Sequence, residues 1–532
     1  MYCQYRVFQH LQRRVIPVYL TVAVLGTPVW LSAQGVSQQS LREIVNLIGR
    51  GDADAAGRLV RRALEAHPSE PRLHNLQGVL RAQAGDIKGA EASFRKAIEL
   101  APDFVGAWEN LARLYHQNAE TFDRGLQRAA EAYARVLALQ PANAEAHYQS
   151  AVVCQLLGRY RDSLAHLAKL PPEAQSRAQA LAVALGNYVA LRDLARTGAA
   201  AKKLLASPDL NEADVLQILP VLAEHHRADL AIELIQGLER RGLASTATLE
   251  RLAALHEETG NLAEARQRYE ALAQRAPGRV SPLLDLARVA YNQRDLEGAL
   301  SYLAHARDLA PSNAGIHFFF GVICAELELP LEAKRSLQRA VELAPENVYH
   351  HYALGAVLLY ERDTSLAATH LRRYLEQHPH DPRARFLLGV AYFYGGQLDA
   401  ARQELAVAAG NPVTAARARY FLGRLARQEN RLEEAEQELK AALQAEPKFP
   451  DAHAELGFVY IRRREHQQAE RALMQALALD PDHYLANQNL LMLYQRTRDP
   501  RAEAQAKRFE QVQQKRSEKE RLLLRTIEVK PY

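Results

Sequence analysis

Cysteine is scarce in this chain of 532 residues, which contains only Cys3, Cys154 and Cys324. Cys3 lies in an N-terminal segment that we expect to be removed, and the other two occupy helical packing positions far apart along the chain. A disulfide framework is therefore excluded. We expect Cys154 and Cys324 to be small buried hydrophobic residues.

Motifs of common catalytic sites are also missing. The sequence contains no G-x-S-x-G, no P-loop and no dinucleotide-binding fingerprint, and HEETG at residue 256 lacks the second histidine of a metal-hydrolase helix. The histidines at 225–226, 350–351, 378 and 380 have no third ligand at metal spacing. We therefore predict that the protein is not an enzyme and has no catalytic residues, no metal and no cofactor.

An excess of charge of one sign is absent as well. The formal net charge is only +5, and no block of Lys and Arg is interleaved with aromatic residues, so we predict no nucleic-acid partner. Apolar residues at 48% and charged residues at 24% are typical of folded protein. The chain is too long for one ordinary core, which predicts several domains or an elongated repeat architecture.

The first 35 residues have the pattern of a targeting segment. A basic leader ends at Arg13 and Arg14, the apolar run of residues 15–33 is uncharged, and Ala33 with Gly35 forms a pattern that a signal peptidase could cut. We predict a signal peptide over residues 1–35 and therefore a periplasmic or secreted protein. We expect a bacterial envelope because arginine far outnumbers lysine in this sequence. The alternative is an uncleaved inner-membrane anchor facing the periplasm, because the run approaches the roughly 20 residues that span a bilayer.

Beyond residue 36 the sequence repeats with a period of 34, as in GIHFFFGVICAELELPLEAKRSLQRAVELAP, which ends at Pro345. Small residues recur in one register. They are Gly321, Gly355, Gly389, Gly423 and Gly457, followed by Ala333, Ala367, Ala401, Ala435 and Ala469. Aromatic residues and a terminal proline recur with them, and the whole pattern resembles the tetratricopeptide repeat.

This resemblance implies an all-α, right-handed superhelical solenoid of stacked helix-turn-helix hairpins with a C-terminal capping helix. Glycine or alanine at positions 8 and 20 of each repeat predicts a close approach of the two helices, and the proline at position 32 ends the second helix. Position 15, between the helices, requires a left-handed backbone. It is occupied by Gly85, Gly158, Gly260, Gly396 and Asn430.

The strength of the repeat signature divides the chain into predicted segments. After the signal peptide, residues 36–172 form an N-terminal repeat block, and residues 173–244 form a connector of degenerate helical hairpins, with Asn211 and Asp214 placed as an N-cap pair. Residues 245–498 form a C-terminal repeat block. A capping helix over residues 499–525 and a tail of residues 526–532 complete the chain.

Positions 5, 9 and 12 form a stripe along the first helix of each repeat. The resemblance implies that this stripe lines a concave groove, which is apolar between residues 314 and 461 and has arginines at its C-terminal end. The predicted groove residues are Phe318, Val322, Tyr352, Phe386, Val390, Phe393, Tyr420, Arg424, Arg427, Phe458 and Arg462. In the N-terminal block the stripe is polar, for example Glu109, Arg113 and His116.

Two functions from different classes fit this pattern. The first is an interaction scaffold whose groove binds an apolar segment of another protein, with an acidic end that meets the arginines. The second is an accessory docking subunit of an envelope enzyme or of a polysaccharide-export complex, which uses its outer surface and arginines such as Arg335, Arg339, Arg372 and Arg373. The aromatic residues of the stripe, spaced by 34, either stack as a ladder that binds a ligand or simply pack against their neighbours.

Overall fold

The structure, a computed structural model, describes residues 36–528, and every regular element in these residues is an α-helix. The predicted all-α fold is therefore confirmed. The predicted signal peptide or anchor, and the end of the predicted tail, lie outside the described residues. Within residues 36–528 no helix has the length and apolar character that crossing a membrane requires. The chain divides into two compact units, Met1–Arg268 and Tyr269–Tyr532.

The first unit contains antiparallel helical hairpins and a region of shorter helices. These helices are Gln38–Gly49, Ala53–Ala66, Pro71–Gln83, Ile87–Leu100, Val105–Gln117, Gly125–Leu139, Ala144–Leu156, Tyr160–Leu167, Pro172–Gln175, Ala178–Ala190, Leu194–Ala206, Glu212–Leu216, Leu219–Glu224, Ala228–Arg240 and Thr246–Glu258. The next helix, Leu262–Arg275, contains the division between the units.

The second unit has a more regular series of hairpins. Its helices are Val280–Asn292, Leu296–Leu309, Ala314–Glu326, Pro330–Leu343, Val348–Tyr360, Thr364–Gln377, Pro382–Tyr394, Leu398–Ala409, Ala415–Gln428, Leu432–Ala445, Pro450–Arg462, His466–Leu479, Tyr484–Thr497 and Ala502–Glu528. We name a hairpin by its first and last residue numbers, so hairpin 382–409 consists of a first helix, Pro382–Tyr394, and a second helix, Leu398–Ala409.

Glycine at position 8 allows the two helices of a hairpin to pack closely. A Cβ added to Gly389 would lie 2.7 Å from Cγ of Leu405 on the second helix, which is closer than nonbonded carbon atoms approach. Four other glycines face a leucine in the same way: Gly321, Gly355, Gly423 and Gly457. Ala401, at position 20 of the same hairpin, is fully buried. The predicted close approach is confirmed.

The turn between the helices has a left-handed residue at position 15, as predicted. Gly396 has a φ of +75° and Asn430 has a φ of +61°. Residues with a Cβ adopt the same conformation where a repeat has no glycine there; these are Arg294, Glu328, Arg362, Arg464 and Arg498. The turn geometry therefore belongs to the repeat as a whole, and the side chain at this position accommodates it.

Position 4 of the first helix has a role that the sequence analysis missed. In eight of the repeats, a side-chain N–H group at this position donates to the carbonyl oxygen of the proline six residues earlier. This proline follows the second helix of the preceding hairpin, and its carbonyl oxygen needs a hydrogen-bond donor from outside that helix. The donor–acceptor distance is 2.9 Å from His317 Nε2 to Pro311 O and 2.9 Å from Arg385 Nε to Pro379 O. His74, Trp108, His147, His351, His453 and Asn487 make the same bond.

Residues 173–244, the predicted connector, contain shorter and less regular helices. A hairpin over residues 178–206 is followed by the short helices Glu212–Leu216 and Leu219–Glu224. Asn211 and Asp214 form a reciprocal capping box at the start of the first of these, which confirms the predicted N-cap pair.

The last helix packs against the helix Tyr484–Thr497. The rings of Phe509 and Tyr484 lie 5.2 Å apart, and Gln505 Nε2 donates to Asn487 Oδ1 at 3.0 Å. The helix runs from Ala502 to Glu528, three residues further than the predicted capping helix, and Val512 is buried.

The cysteines have the predicted environment. Cys154 and Cys324 are both free and buried, and burial raises the pKa of the Cys324 thiol to about 12. A buried thiol with such a pKa is not a nucleophile at neutral pH.

Candidate functional site

The three adjacent phenylalanines of hairpin 314–343 have three different environments. Phe320 is buried, with the Arg307 guanidinium 4.4 Å from its ring centroid. Phe319 meets Tyr291 edge to face at 5.8 Å. Phe318, at position 5, is half-buried and stacks on His350 of the following hairpin with a centroid distance of 5.0 Å. Phe318 is therefore neither a core residue nor fully exposed.

The other position-5 residues also pack on aromatic groups outside the stripe. Tyr352 lies 4.9 Å from the ring of Tyr374, and Phe386 lies 5.8 Å from the ring of Phe421. The position-5 rings do not stack on one another as a ladder. Their ring partners lie instead at other positions, as His350, Tyr374 and Phe421 do.

Three of the predicted groove residues are packing residues. Val390, Phe393 and Tyr420 are each only 8% exposed, and burial raises the pKa of Tyr420. Phe318, Val322, Tyr352, Phe386 and Phe458 remain half-buried, so part of each side chain faces solvent. Packing therefore accounts for the buried residues of the stripe, and binding by the half-buried ones stays a prediction.

Aromatic rings surround Arg424 on the first helix of hairpin 415–445. Its guanidinium carbon lies 5.0 Å from the ring centroid of Phe393, 5.4 Å from that of Phe421 and 5.6 Å from that of Tyr420. Nη1 donates to the hydroxyl of Tyr394, which is 56% exposed, at 3.2 Å. Arg424 is half-buried, so a cation lies among rings at the protein surface.

The other two predicted arginines have different environments. Arg427 forms an ion pair with Glu455, which is only 7% exposed, and its guanidinium carbon lies 5.1 Å from the ring of Phe458. Arg462 is exposed and donates to Asn430 Oδ1 at 3.1 Å. The charge of Arg427 is therefore neutralised within the protein, and Arg424 has no such partner among the described residues.

A second acidic group, Asp451, interacts electrostatically with Arg424. Asp451 accepts a hydrogen bond from His483 Nε2 at 3.2 Å. This bond and the charges of His483 and Arg424 hold the pKa of Asp451 below its ordinary value, although burial opposes the shift. Asp451 is therefore ionised at neutral pH.

Tyr394, Phe421 and Glu455 belong to this surface but were missed by the sequence analysis. They occupy positions 13, 6 and 6 of their repeats, outside the stripe of positions 5, 9 and 12. For Tyr394 and Phe421, the aromatic-rich segments AYFYGG and RYFLG could have indicated a cluster of aromatic side chains.

The polar stripe of the first unit is held by internal hydrogen bonds. Asn110 Nδ2 donates to Asn75 Oδ1 at 3.0 Å, and Asn143 Nδ2 donates to Glu109 Oε1 at 2.8 Å. Burial lowers the pKa of His116 to about 4, so this imidazole is neutral at physiological pH. Across residues 36–528, three or more His, Cys, Asp or Glu side chains nowhere converge as a metal would require.

Comparison with known proteins agrees with the repeat pattern. Two models described as tetratricopeptide repeat match the chain, one at residues 426–491 and the other at residues 41–104, 284–348 and 352–414.

A curated relative is the cellulose synthase operon protein C of Xanthomonas axonopodis pv. citri, which is 34% identical over 125 residues. That match covers 23% of this chain and only 8% of the relative. This chain therefore matches a small part of that protein's length.

Solved structures of other proteins resemble this chain only with low TM-scores. The APC/C hetero-tetramer Cut9-Hcn1 shares 14% identity, with 86% of this chain and 96% of that chain covered and a TM-score of 0.38. A tetratricopeptide repeat protein from Parabacteroides merdae shares 15% identity, with 47% and 98% covered and a TM-score of 0.38. The matched family models, together with the 34-residue hairpins and their glycine-to-leucine packing, show that the chain contains tetratricopeptide repeats in both of its halves.

Proposed function

We propose that this protein is an exported, non-enzymatic scaffold that binds a segment of a partner protein along the first helices of hairpins 314–343 to 450–479. The observation that supports this proposal is the row of half-buried aromatic side chains at position 5 of the first three of these hairpins. Phe318, Tyr352 and Phe386 each pack one side on a neighbouring ring and leave part of the side chain open to solvent. Exposed apolar surface of this kind commonly marks an interaction site.

The expected affinity is modest. If three or four anchors each recover roughly 1.5 to 3 kcal/mol of burial, the costs of association and ordering leave a dissociation constant near micromolar, about 10⁻⁶ M. A partner that is held along several hairpins would gain affinity with each anchor, so shortening the partner segment should weaken binding stepwise.

Export is the part of the proposal that rests on sequence alone. The apolar run of residues 15–33 and the small residues Ala33 and Gly35 support cleavage. The mass of the mature protein from cells tests it, because removal of residues 1–35 leaves a chain that begins at Val36. An intact N-terminus in a membrane fraction would favour the anchor instead.

A second candidate function is docking of the outer surface onto an envelope enzyme or polysaccharide-export complex. The similarity of 125 residues to a cellulose synthase operon protein favours it. The arginines that would carry such docking lie on second helices. Arg335 and Arg372 are exposed, and Arg339 and Arg373 form ion pairs with Glu342 and Glu376.

Affinity capture from an envelope extract distinguishes the two functions. The bait is the mature chain, compared with the triple variant F318A, Y352A and F386A. Loss of a captured protein from this variant supports binding by the first helices, and unchanged capture contradicts it. The matched control is L331A, L366A and V407A, which removes three exposed apolar side chains from the second helices of the same three hairpins.

Helicity measured by circular dichroism shows whether each variant is folded. A third variant, in which Arg335, Arg339, Arg372 and Arg373 are replaced by glutamine, tests the outer surface. If this variant alone loses a captured protein, the docking function is supported over the scaffold function.

A further inference from the structure

We propose that the partner segment carries an aspartate or glutamate, flanked by apolar residues, whose carboxylate binds Arg424. This inference rests on the function proposed above and specifies the chemistry of its ligand. Three observations support it: Arg424 has few hydrogen-bond acceptors, the neighbouring half-buried arginines form ion pairs, and charged groups and aromatic rings surround its guanidinium.

Arg424 uses little of its hydrogen-bonding capacity. A guanidinium has five N–H donors, and the only acceptor within the described residues is the Tyr394 hydroxyl, 3.2 Å from Nη1. Nε is buried and has no hydrogen-bond partner. A partly desolvated cation whose donors are unmet raises the free energy of the unbound protein, and an incoming acceptor relieves that cost.

Half-buried arginines elsewhere in this region all have a carboxylate. In the hairpins between residues 382 and 479, the half-buried arginines other than Arg424 are Arg385, Arg402, Arg419, Arg427 and Arg463. They form ion pairs with Glu404, Glu429, Glu438, Glu455 and Glu436 respectively. Arg424 is the exception among the described residues of these hairpins, which indicates that its carboxylate comes from outside the chain.

The local charges favour an anion. Two carboxylates act on Arg424 electrostatically: Glu455, which pairs with Arg427, and Asp451, which accepts a hydrogen bond from His483. Neither of them forms an ion pair with Arg424. The charge of Arg424 therefore has no ion-pair partner among the described residues.

The surrounding rings define what flanks the acidic group. Phe386, Phe421 and Tyr394 are half-buried or exposed beside Arg424, so apolar side chains next to the acid would cover them. Excluding water strengthens a charge-assisted hydrogen bond from the guanidinium. We therefore expect a segment with an acidic residue between apolar residues to bind more tightly than an acidic residue between polar residues or a segment without an acidic residue.

A random dodecapeptide library displayed on phage and selected against the full chain tests this inference. We expect enriched peptides to share an Asp or Glu between aromatic or aliphatic residues. For a synthetic peptide of an enriched sequence, the dissociation constant is measured by fluorescence anisotropy against wild type, R424Q and the control R471Q, which changes an exposed arginine on the second helix His466–Leu479. R424Q should weaken binding about tenfold or more, the effect of losing a charged hydrogen bond, and R471Q should change it by less than about threefold.

A peptide in which the acid is replaced by its amide distinguishes the possible outcomes. This peptide should bind wild type as weakly as the acidic peptide binds R424Q, with no further loss when both changes are combined. If peptides bind in a manner that requires Phe318, Tyr352 and Phe386 but is indifferent to the acid and to R424Q, this inference is overturned and the proposed function stands. If no enriched peptide depends on those aromatic residues, the proposed function fails, and this inference fails with it.

Discussion

His351 and His370 face each other through their Nδ1 atoms, 2.8 Å apart, at positions where the next hairpin has the ion pair of Arg385 and Glu404. Nε2 of His351 donates to the carbonyl oxygen of Pro345, so in its neutral form His351 accepts at Nδ1 and His370 donates. His147 and His166 repeat this arrangement in the first unit at 3.2 Å. If both rings of a pair were protonated, both Nδ1 atoms would carry a hydrogen and the hydrogen bond between them would be lost.

Acidification should therefore destabilise the protein through these pairs. Burial, and then the neighbouring His351, lower the pKa of His370 below the ordinary 6.5, so the unfolded state binds the proton more readily than the folded state. The contribution of His370 to the free energy of unfolding is fully present above pH 6.5 and is lost as the pH falls through its lowered pKa. Thermal unfolding between pH 7.5 and 5 measures the loss.

The control for this prediction is the double variant H351R and H370E, which copies the pair of the next hairpin. Other groups with shifted pKa values remain in both proteins, so the informative quantity is the difference in pH dependence. Wild type should lose more stability on acidification than the double variant. Equal losses would show that the histidine pair does not couple folding to pH.

Replacing Gly389 by alanine should cost about 1 to 3 kcal/mol of unfolding free energy, because the new Cβ would lie 2.7 Å from Leu405 Cγ and the helices would have to separate. Gly57 is the control, since it is also within a helix but has no atom within 4 Å of an added Cβ. There alanine should stabilise by about 0.5 to 1 kcal/mol through helix propensity. Urea unfolding followed by circular dichroism measures both, and equal effects would contradict the packing role of glycine.

The left-handed turn predicts opposite effects at equivalent positions of adjacent repeats. Arg362 has a φ of +61°, so replacement by glycine should relieve strain and stabilise by up to about 1 kcal/mol. Gly396 has a φ of +75°, and replacement by alanine should destabilise by about 1 kcal/mol. The two melting temperatures, compared with wild type, check the prediction, which is contradicted if both variants shift in the same direction.

The hydrogen bond from position 4 to the preceding proline should contribute measurably to stability. Replacing His317 by phenylalanine removes the donor to Pro311 O but keeps a ring, and should cost about 1 kcal/mol. Replacing it by tryptophan, the residue at the equivalent position 108, should retain the bond. Chemical unfolding of the two variants measures the difference, and identical midpoints would assign the role to packing alone.

The periodic features of the fold could be predicted from sequence because they are local. A 34-residue spacing of glycine, alanine and proline specifies where each helix begins, turns and ends, and the left-handed turn at Asn430 follows from its place between two amphipathic helices. The bond from His317 to a proline carbonyl was missed because a histidine at one position carries no signal of its acceptor. The predicted groove residues and segment boundaries remain predictions.

By itself, the sequence determined the helices, the hairpin repeat, and the burial of the small residues and of Cys154 and Cys324. Only the tertiary structure decided which side chains of the stripe are packed and which charges are neutralised. Arg424 and Arg427 are three residues apart in one helix, yet one lies among aromatic rings and the other pairs with Glu455 of the next hairpin. That difference arises from hairpin stacking, which brings together residues about one repeat apart, at distances and angles that periodicity alone does not specify.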